Sequence, residues 1–204
     1  MLVRISLSQR LMAALGIYFV LAVMYVSTNF WTVYRSSFLV HTPLDDYIPF
    51  MPHSVYIYVF GYLLLLLYPI FFVDGKEVFS TLVRGILWIT ITTGLIYLVF
   101  PTSMSRPDLP VVDQTTYFLE ILHKIDPPHN SFPSLHVSLA TFIGVYLHKN
   151  GLLKNYPLVV ALLVNLSTML TKQHAIVDVI GGLLHSYITL RIFDNSDILS
   201  NTNT

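Results

Sequence analysis

Residues 11–31 read LMAALGIYFVLAVMYVSTNFW, an uninterrupted run without Asp, Glu, Lys or Arg. A bilayer core about 30 Å thick asks for roughly 20 mostly apolar helical residues, so this run is long enough to cross it. Arg4 and Arg10 precede it. The run is longer than a signal-peptide core and no small-residue cleavage pattern follows, which makes it a retained first span. Two further uncharged runs, Ser54 to Val73 and Gly85 to Phe100, have the same character. Three more, Phe132 to Leu147, Tyr156 to Leu170 and Ala175 to Phe193, have apolar bodies but hold His136, Lys172, His174 and Asp178 in or beside their ends. Proline-, glycine- and lysine-bearing connections separate the runs. The expectation is an all-α integral membrane bundle of six transmembrane helices, one domain over residues 1–194, followed by a disordered tail over residues 195–204.

Composition agrees with lipid as the solvent. Hydrophobic residues make up 54% of the chain and charged residues 11%, with a mean hydropathy of +0.67, outside the range of an ordinary soluble domain. Eleven basic residues balance eleven acidic ones, so no global field points to nucleic acid. There is no cysteine, which excludes disulfides, thiolate metal sites and thiol nucleophiles. With the N-terminus in the cytoplasm, Arg4, Arg10, Lys76, Arg84, Lys149, Lys154 and Arg191 collect on the inner side, and Arg35, Arg106, Lys124 and Lys172 on the outer side. That bias sets both termini inside. A bacterial inner membrane with the polar cluster facing the periplasm is the expected setting. Trp31, Tyr34, Tyr56 and Tyr156 near span ends suit an interfacial aromatic belt.

Under this topology three distant segments meet at the outer face: Arg106-Pro107, Pro133-Ser134-Leu135-His136, and Lys172-Gln173-His174 with Asp178. His174 and Asp178 are four apart, so on a helix they share one face. A carboxylate one turn inside an apolar span costs roughly 2.5–3.5 kcal/mol on insertion scales, and the imidazole is its nearest compensating partner. An aspartate on one ring nitrogen fixes the tautomer and leaves the other as nucleophile or base. At the start of span four, Ser131 or Ser134 can cap a helix N-terminus that would receive an anion, and His136 stands where it can protonate a departing oxygen. Arg106 and Lys172 supply charge for phosphoryl oxygens.

These residues resemble the type-2 phosphatidic acid phosphatase superfamily of membrane lipid phosphatases and phosphotransferases. Its Arg-Pro, Pro-Ser-x-His and His-x-x-x-Asp blocks read here as Arg106-Pro107, Pro133-Ser134-Leu135-His136 and His174-Ala175-Ile176-Val177-Asp178. The resemblance implies a phosphohistidine on His174, Asp178 orienting it, and His136 protonating the leaving group, with Arg106, Lys172 and Ser134 holding the phosphate. Two family cations are replaced, by Val99 and Thr168, and Lys172 is the available substitute for one of them. Leu135, with Asp178, Gly181 and Gly182, resembles the branch that includes inositol phosphorylceramide synthases.

The expected partners are a lipid phosphate substrate and membrane lipids, without nucleic acid. No cofactor is expected, and no metal, since Asp178 is the one carboxylate within reach and Arg106 and Lys172 would repel a cation. Hydrolysis, transfer to an alcohol acceptor, and non-catalytic binding or transport of an anionic lipid remain open, as do the lipid and the oligomeric state. His41, His53, His123 and His129 read as solvated loop histidines, His148 and His185 as interfacial or cytoplasmic, and Gly181-Gly182 as close helix packing.

Overall fold

In the computed structural model the described residues are 3–33 and 35–193, the side chains of 32 and 33 excepted. Tyr34 and the tail over residues 195–204 lie outside them. The first apolar run becomes α1 (Leu7–Val33), and the rest of the bundle is α2 (Tyr62–Phe72), α3 (Lys76–Val99), α4 (Gln114–Ile125), α5 (Leu135–Lys149), α6 (Tyr156–Leu170) and α7 (Ile176–Phe193). Six of these follow the six apolar runs. The seventh, α4, lies within the connection Pro101 to Ser131, where no helix was expected. Its local signals are clear: Asp113 Oδ1 accepts the Thr116 N–H at 2.8 Å, while Leu119 faces the protein fully buried and the end carries His123 and Lys124.

Among the described residues, four helical stretches are long and apolar enough to cross a membrane: Leu7–Trp31, Pro52–Phe72, Lys76–Val99 and Ile176–Phe193. α5 and α6 have 15 residues each, about 22 Å of helix, short of a full hydrocarbon core. The many outward apolar side chains, among them Leu15, Phe19, Leu162, Ile180 and Leu184, are compatible with a membrane protein.

α5 is the axis of the bundle. Its Leu139, Ala140, Phe142, Ile143 and Leu147 are at most 1% exposed, packed against α2, α3, α6 and α7. Small residues permit the close approach. A Cβ on Gly182 would stand 2.8 Å from the Ser134 carbonyl oxygen, and one on Gly144 would stand 2.7 Å from that of Pro157.

One end of the bundle is closed by short links. Ile5 N–H donates to Asp74 O at 2.9 Å and Lys76 N–H to Val3 O at 2.9 Å, tying the N-terminal segment to the α2–α3 turn. The other end gathers the long loops. There β1 (Phe38–Leu39) pairs in parallel with β2 (Thr102–Ser103), and Met51 N–H donates to Leu170 O at 2.8 Å. Between them the chain enters α2 through a π-helical turn over Ile57–Gly61.

Candidate active site

The turn from α6 to α7 carries His174. Thr168 O accepts from the N–H groups of both Gln173, at 2.9 Å, and His174, at 3.1 Å. Lys172 supplies the left-handed residue of this helix ending, with φ of 55°, a position usually held by Gly or Asn. At the start of α7, Asp178 reaches back so that its Oδ2 accepts the Ala175 N–H at 2.9 Å, the carboxylate half of a capping box. The same Oδ2 lies 3.5 Å from His174 Nδ1, with both groups buried. That is ion-pair range, yet Nδ1 makes no hydrogen bond and Asp178 Oδ1 has no partner among the described residues. The pair is in contact without a hydrogen bond between the two side chains.

α5 brings the second histidine. Ser134 is its N-cap, accepting the Val137 N–H at 3.2 Å, while its own N–H donates to Asp178 O at 3.1 Å. Thr102 Oγ1 accepts from Ser131 N–H at 3.1 Å and Phe132 N–H at 2.9 Å, and Tyr97 donates its hydroxyl to Pro133 O at 2.9 Å. These bonds fix the approach to the cap. His136 then lies between Tyr58 and Tyr62, with ring centroids 4.9 and 4.8 Å away, and 5.8 Å from the ring of His174. The Tyr58 hydroxyl is 2.9 Å from His136 Nε2 and 3.2 Å from Nδ1.

Arg106 completes the group. Its Nη1 donates to Asp126 O at 2.8 Å and His123 O at 3.3 Å, and its Nη2 donates to Gln173 Oε1. Much of the guanidinium is therefore spent on protein acceptors, which leaves Nε as a buried donor without a partner among the described residues. Burial lowers the Arg106 pKa, against the raising influence of Asp126. Burial and then the neighbouring guanidinium push His123 down to about 4, so that ring stays neutral at pH 7.

Two hollows meet here. A pocket of about 60 Å³ is walled by Leu21, Met24, Thr90 and Gly94 at its apolar end and by Arg106, His136, Gln173 and His174 at its polar end. A cleft of about 330 Å³ opens between the outer loops, with His41, Asp46, Phe50 and Lys172 in its walls. The two have Arg106 and His174 in common and no other lining residue.

Of the six residues singled out in the sequence, Arg106, His136 and His174 share the first pocket, with Asp178 behind His174. Ser134 is fully buried as a cap and lines neither hollow. Lys172 faces the outer cleft, but its Nζ donates to the carbonyls of Asp45, at 2.9 Å, and Ile48, at 2.7 Å. The replaced cation positions offer nothing to an anion: Val99 is exposed and Thr168 Oγ1 donates to Asn165 O in its own helix at 2.7 Å. Among the described residues no three His, Asp or Glu side chains come together as a metal-ligand group.

Some loop histidines are less solvated than expected. His123 Nε2 and His129 Nδ1 are buried without hydrogen-bond partners among the described residues. His185 lies mid-bundle, its Nε2 2.8 Å from Thr92 Oγ1 and its Nδ1 3.3 Å from Thr93 Oγ1. Sequence reasoning also passed over Tyr58, Asp45 and Gln173. Asp45 is nearly buried; its Oδ1 accepts the Ile176 N–H at 2.8 Å and its Oδ2 the Thr42 N–H at 2.8 Å and hydroxyl at 2.7 Å. Burial pushes its carboxyl up, but these bonds outweigh it and hold the pKa below the ordinary 3.8.

The family that matches is the PAP2 superfamily, over residues 82–195, more than half of the chain. The chain belongs to the PAP2 superfamily. The PAP2 match spans Arg106, Ser134, His136, Lys172, His174 and Asp178. PAP2 membership supports phosphatase-type chemistry in general and, with the apolar helices, a membrane protein. No curated protein and no solved structure matches the chain.

Proposed function

We propose that the protein is a membrane lipid phosphate or diphosphate phosphatase that works through a phosphohistidine. His174, through the ring nitrogen turned away from Asp178, attacks the phosphorus in line, forming the N–P bond as the bond to the lipid oxygen breaks. His136 gives its proton to that oxygen. Water, deprotonated by His136, then attacks the phosphohistidine and releases phosphate, and the N–P electron pair returns to the imidazole. Asp178 stabilises the cationic ring, while Arg106 and the N-terminus of α5 balance charge on the equatorial oxygens. Ser134 serves by capping that helix start.

The observation that carries this reading is the pair of imidazoles 5.8 Å apart, in one pocket with Arg106 and continuous with an apolar wall. The closeness supports two imidazoles acting on one phosphoryl group, one as nucleophile and the other as acid. Lys172, held by two carbonyls, contributes its charge to the outer cleft at longer range.

In this reading α1, the stretch 52–72, α3, α5, α6 and α7 are six spans. α5 and α6 tolerate their shortness because loops and neighbouring helices flank their ends. Both termini are cytoplasmic and the site faces the periplasm of a bacterial inner membrane, in keeping with the Lys/Arg asymmetry. A second reading keeps the first step and passes the phosphoryl or phospho-headgroup to an alcohol, as the resemblance to inositol phosphorylceramide synthases suggests. The absence of cations at Val99 and Thr168 instead supports a third reading, an anionic-lipid binder or transporter without turnover.

The test is phosphate release from a panel of lipid phosphates and diphosphates by detergent-purified protein in EDTA, comparing wild type with His174→Ala. Release that survives EDTA and vanishes in the variant is the expected result. A phosphoenzyme without phosphate release points to transfer, and neither one points to binding alone.

A further inference from the structure

Gln173 lines the same pocket as the two histidines and is 3% exposed. Its Oε1 accepts from Arg106 Nη2. A guanidinium has donors only, so chemistry fixes which end of the amide faces it. The Nε2 end consequently faces elsewhere, and neither it nor Arg106 Nε meets an acceptor among the described residues. Unmade buried donors are uncommon and unfavourable. Here two of them belong to hydrogen-bonded neighbours on the wall of a pocket that also holds His136 and His174. The backbone adds a second constraint: Gln173 and His174 hang their N–H groups on the same Thr168 carbonyl, so the amide and the imidazole keep a fixed relation.

We infer that Gln173 is an oxyanion-binding residue, its Nε2 donating with Arg106 Nε to the non-bridging oxygens of a phosphoryl group seated in the pocket beside the histidines. The inference rests on the phosphatase reading above for the identity of the anion. A neutral amide orients the group without adding charge, while its oxygen holds the guanidinium in register, so one side chain binds both the cation and the anion.

Gln173→Glu separates these two duties. A carboxylate of the same shape still accepts from Arg106, now as an ion pair, but it replaces the Nε2 donor by a negative oxygen facing the anion. A residue that only props Arg106 would tolerate the change. An oxyanion donor would not, and kcat/KM should fall by about 100-fold or more, as when an oxyanion donor is removed. Gln173→Leu removes both duties and should fall at least as far, with a lower melting temperature than Gln173→Glu.

The experiment uses the full chain in detergent and has two arms: kcat and KM for a lipid phosphate that the wild type hydrolyses, and the affinity of inorganic phosphate by titration calorimetry. The expected result is weaker phosphate binding and lower kcat/KM in Gln173→Glu, at an unchanged melting temperature. Phosphate binding or turnover within threefold of wild type in Gln173→Glu overturns the inference and leaves the phosphatase reading standing. Wild type that binds phosphate without turnover, with binding lost in Gln173→Glu, supports the oxyanion contact while removing hydrolysis. Wild type that neither binds nor turns over sinks both.

Discussion

Asp178→Asn is the substitution that most directly tests the activated histidine. The carboxylate is fully buried, and one of its oxygens serves both the Ala175 N–H at 2.9 Å and the His174 ring at 3.5 Å. Asparagine keeps an acceptor for the backbone and nearly the same volume, so the helix start survives. It loses the negative charge, which in the proposed mechanism stabilises the imidazole once phosphorylation makes it cationic. A hydrogen bond to a charged group contributes about 1.5–3 kcal/mol, and at 1.36 kcal/mol per decade that becomes a loss of about 12- to 160-fold in kcat. The melting temperature should stay level or rise, since a buried charge has been removed. Asp178→Ala should cost about 1 kcal/mol more through the lost cap. The assays are single-turnover phosphoenzyme formation and thermal unfolding in detergent. A wild-type kcat for Asp178→Asn would refute the role, and a lost fold would show the carboxylate to be structural.

Asp45 should make acid stability depend on a loop far from α7 in sequence: its folded pKa is depressed, so its contribution is present above the ordinary value and is lost as pH falls through the folded one. Melting curves of wild type and Asp45→Asn should therefore differ at pH 7 and converge at acid pH, and parallel curves would count against a stabilising role for the Asp45 bonds to Thr42 and Ile176. Gly182→Ala drives a methyl to 2.8 Å from the Ser134 carbonyl and from Val137 Cβ and should destabilise by about 1–3 kcal/mol. Gly16→Ala, with nothing within 4 Å, should instead stabilise by roughly 0.5–1 kcal/mol; equal melting temperatures for the two would contradict the packing. Tyr58→Phe keeps the ring against His136 and deletes the hydroxyl 2.9 Å from Nε2, so kcat should drop about 2- to 12-fold at unchanged stability, from one ordinary hydrogen bond of 0.5–1.5 kcal/mol. An unchanged pH–rate profile would separate Tyr58 from the proton donor.

The helices were legible because long uncharged apolar runs suit helices in lipid, whereas the His174–Asp178 contact arises differently from the expectation of one shared helix face: His174 lies in the turn before α7, and Asp178 reaches back to it as the capping carboxylate of that helix. What the sequence hid depended on long-range partners. Lys172 reads as a free cation until the carbonyls of Asp45 and Ile48 are seen to hold it. Arg106 reads as an open fork until His123, Asp126 and Gln173 are seen to occupy it. α4 had a readable signal in Asp113 and Thr116, masked by the prolines on either side of the connection. His185 was misjudged because sequence distance from a span end says little about which neighbouring helix supplies hydroxyls, here Thr92 and Thr93 of α3. Tyr58 had no local signal, being one tyrosine among 13.

The π-helical turn at Ile57–Gly61 makes the setting of Tyr58 a matter of arithmetic in the chain. Each residue of a regular helix advances the side chains by about 100°, and a widened turn accommodates one residue more than the regular pitch allows. Deleting a single residue there lets α2 regularise, with its packing from Tyr62 onward preserved, while everything before the turn rotates by that angle. Tyr58 would then leave His136 although no atom of either had been altered. In this stretch of the fold an indel is a sharper instrument than any substitution, and chain length itself belongs to the description of the site.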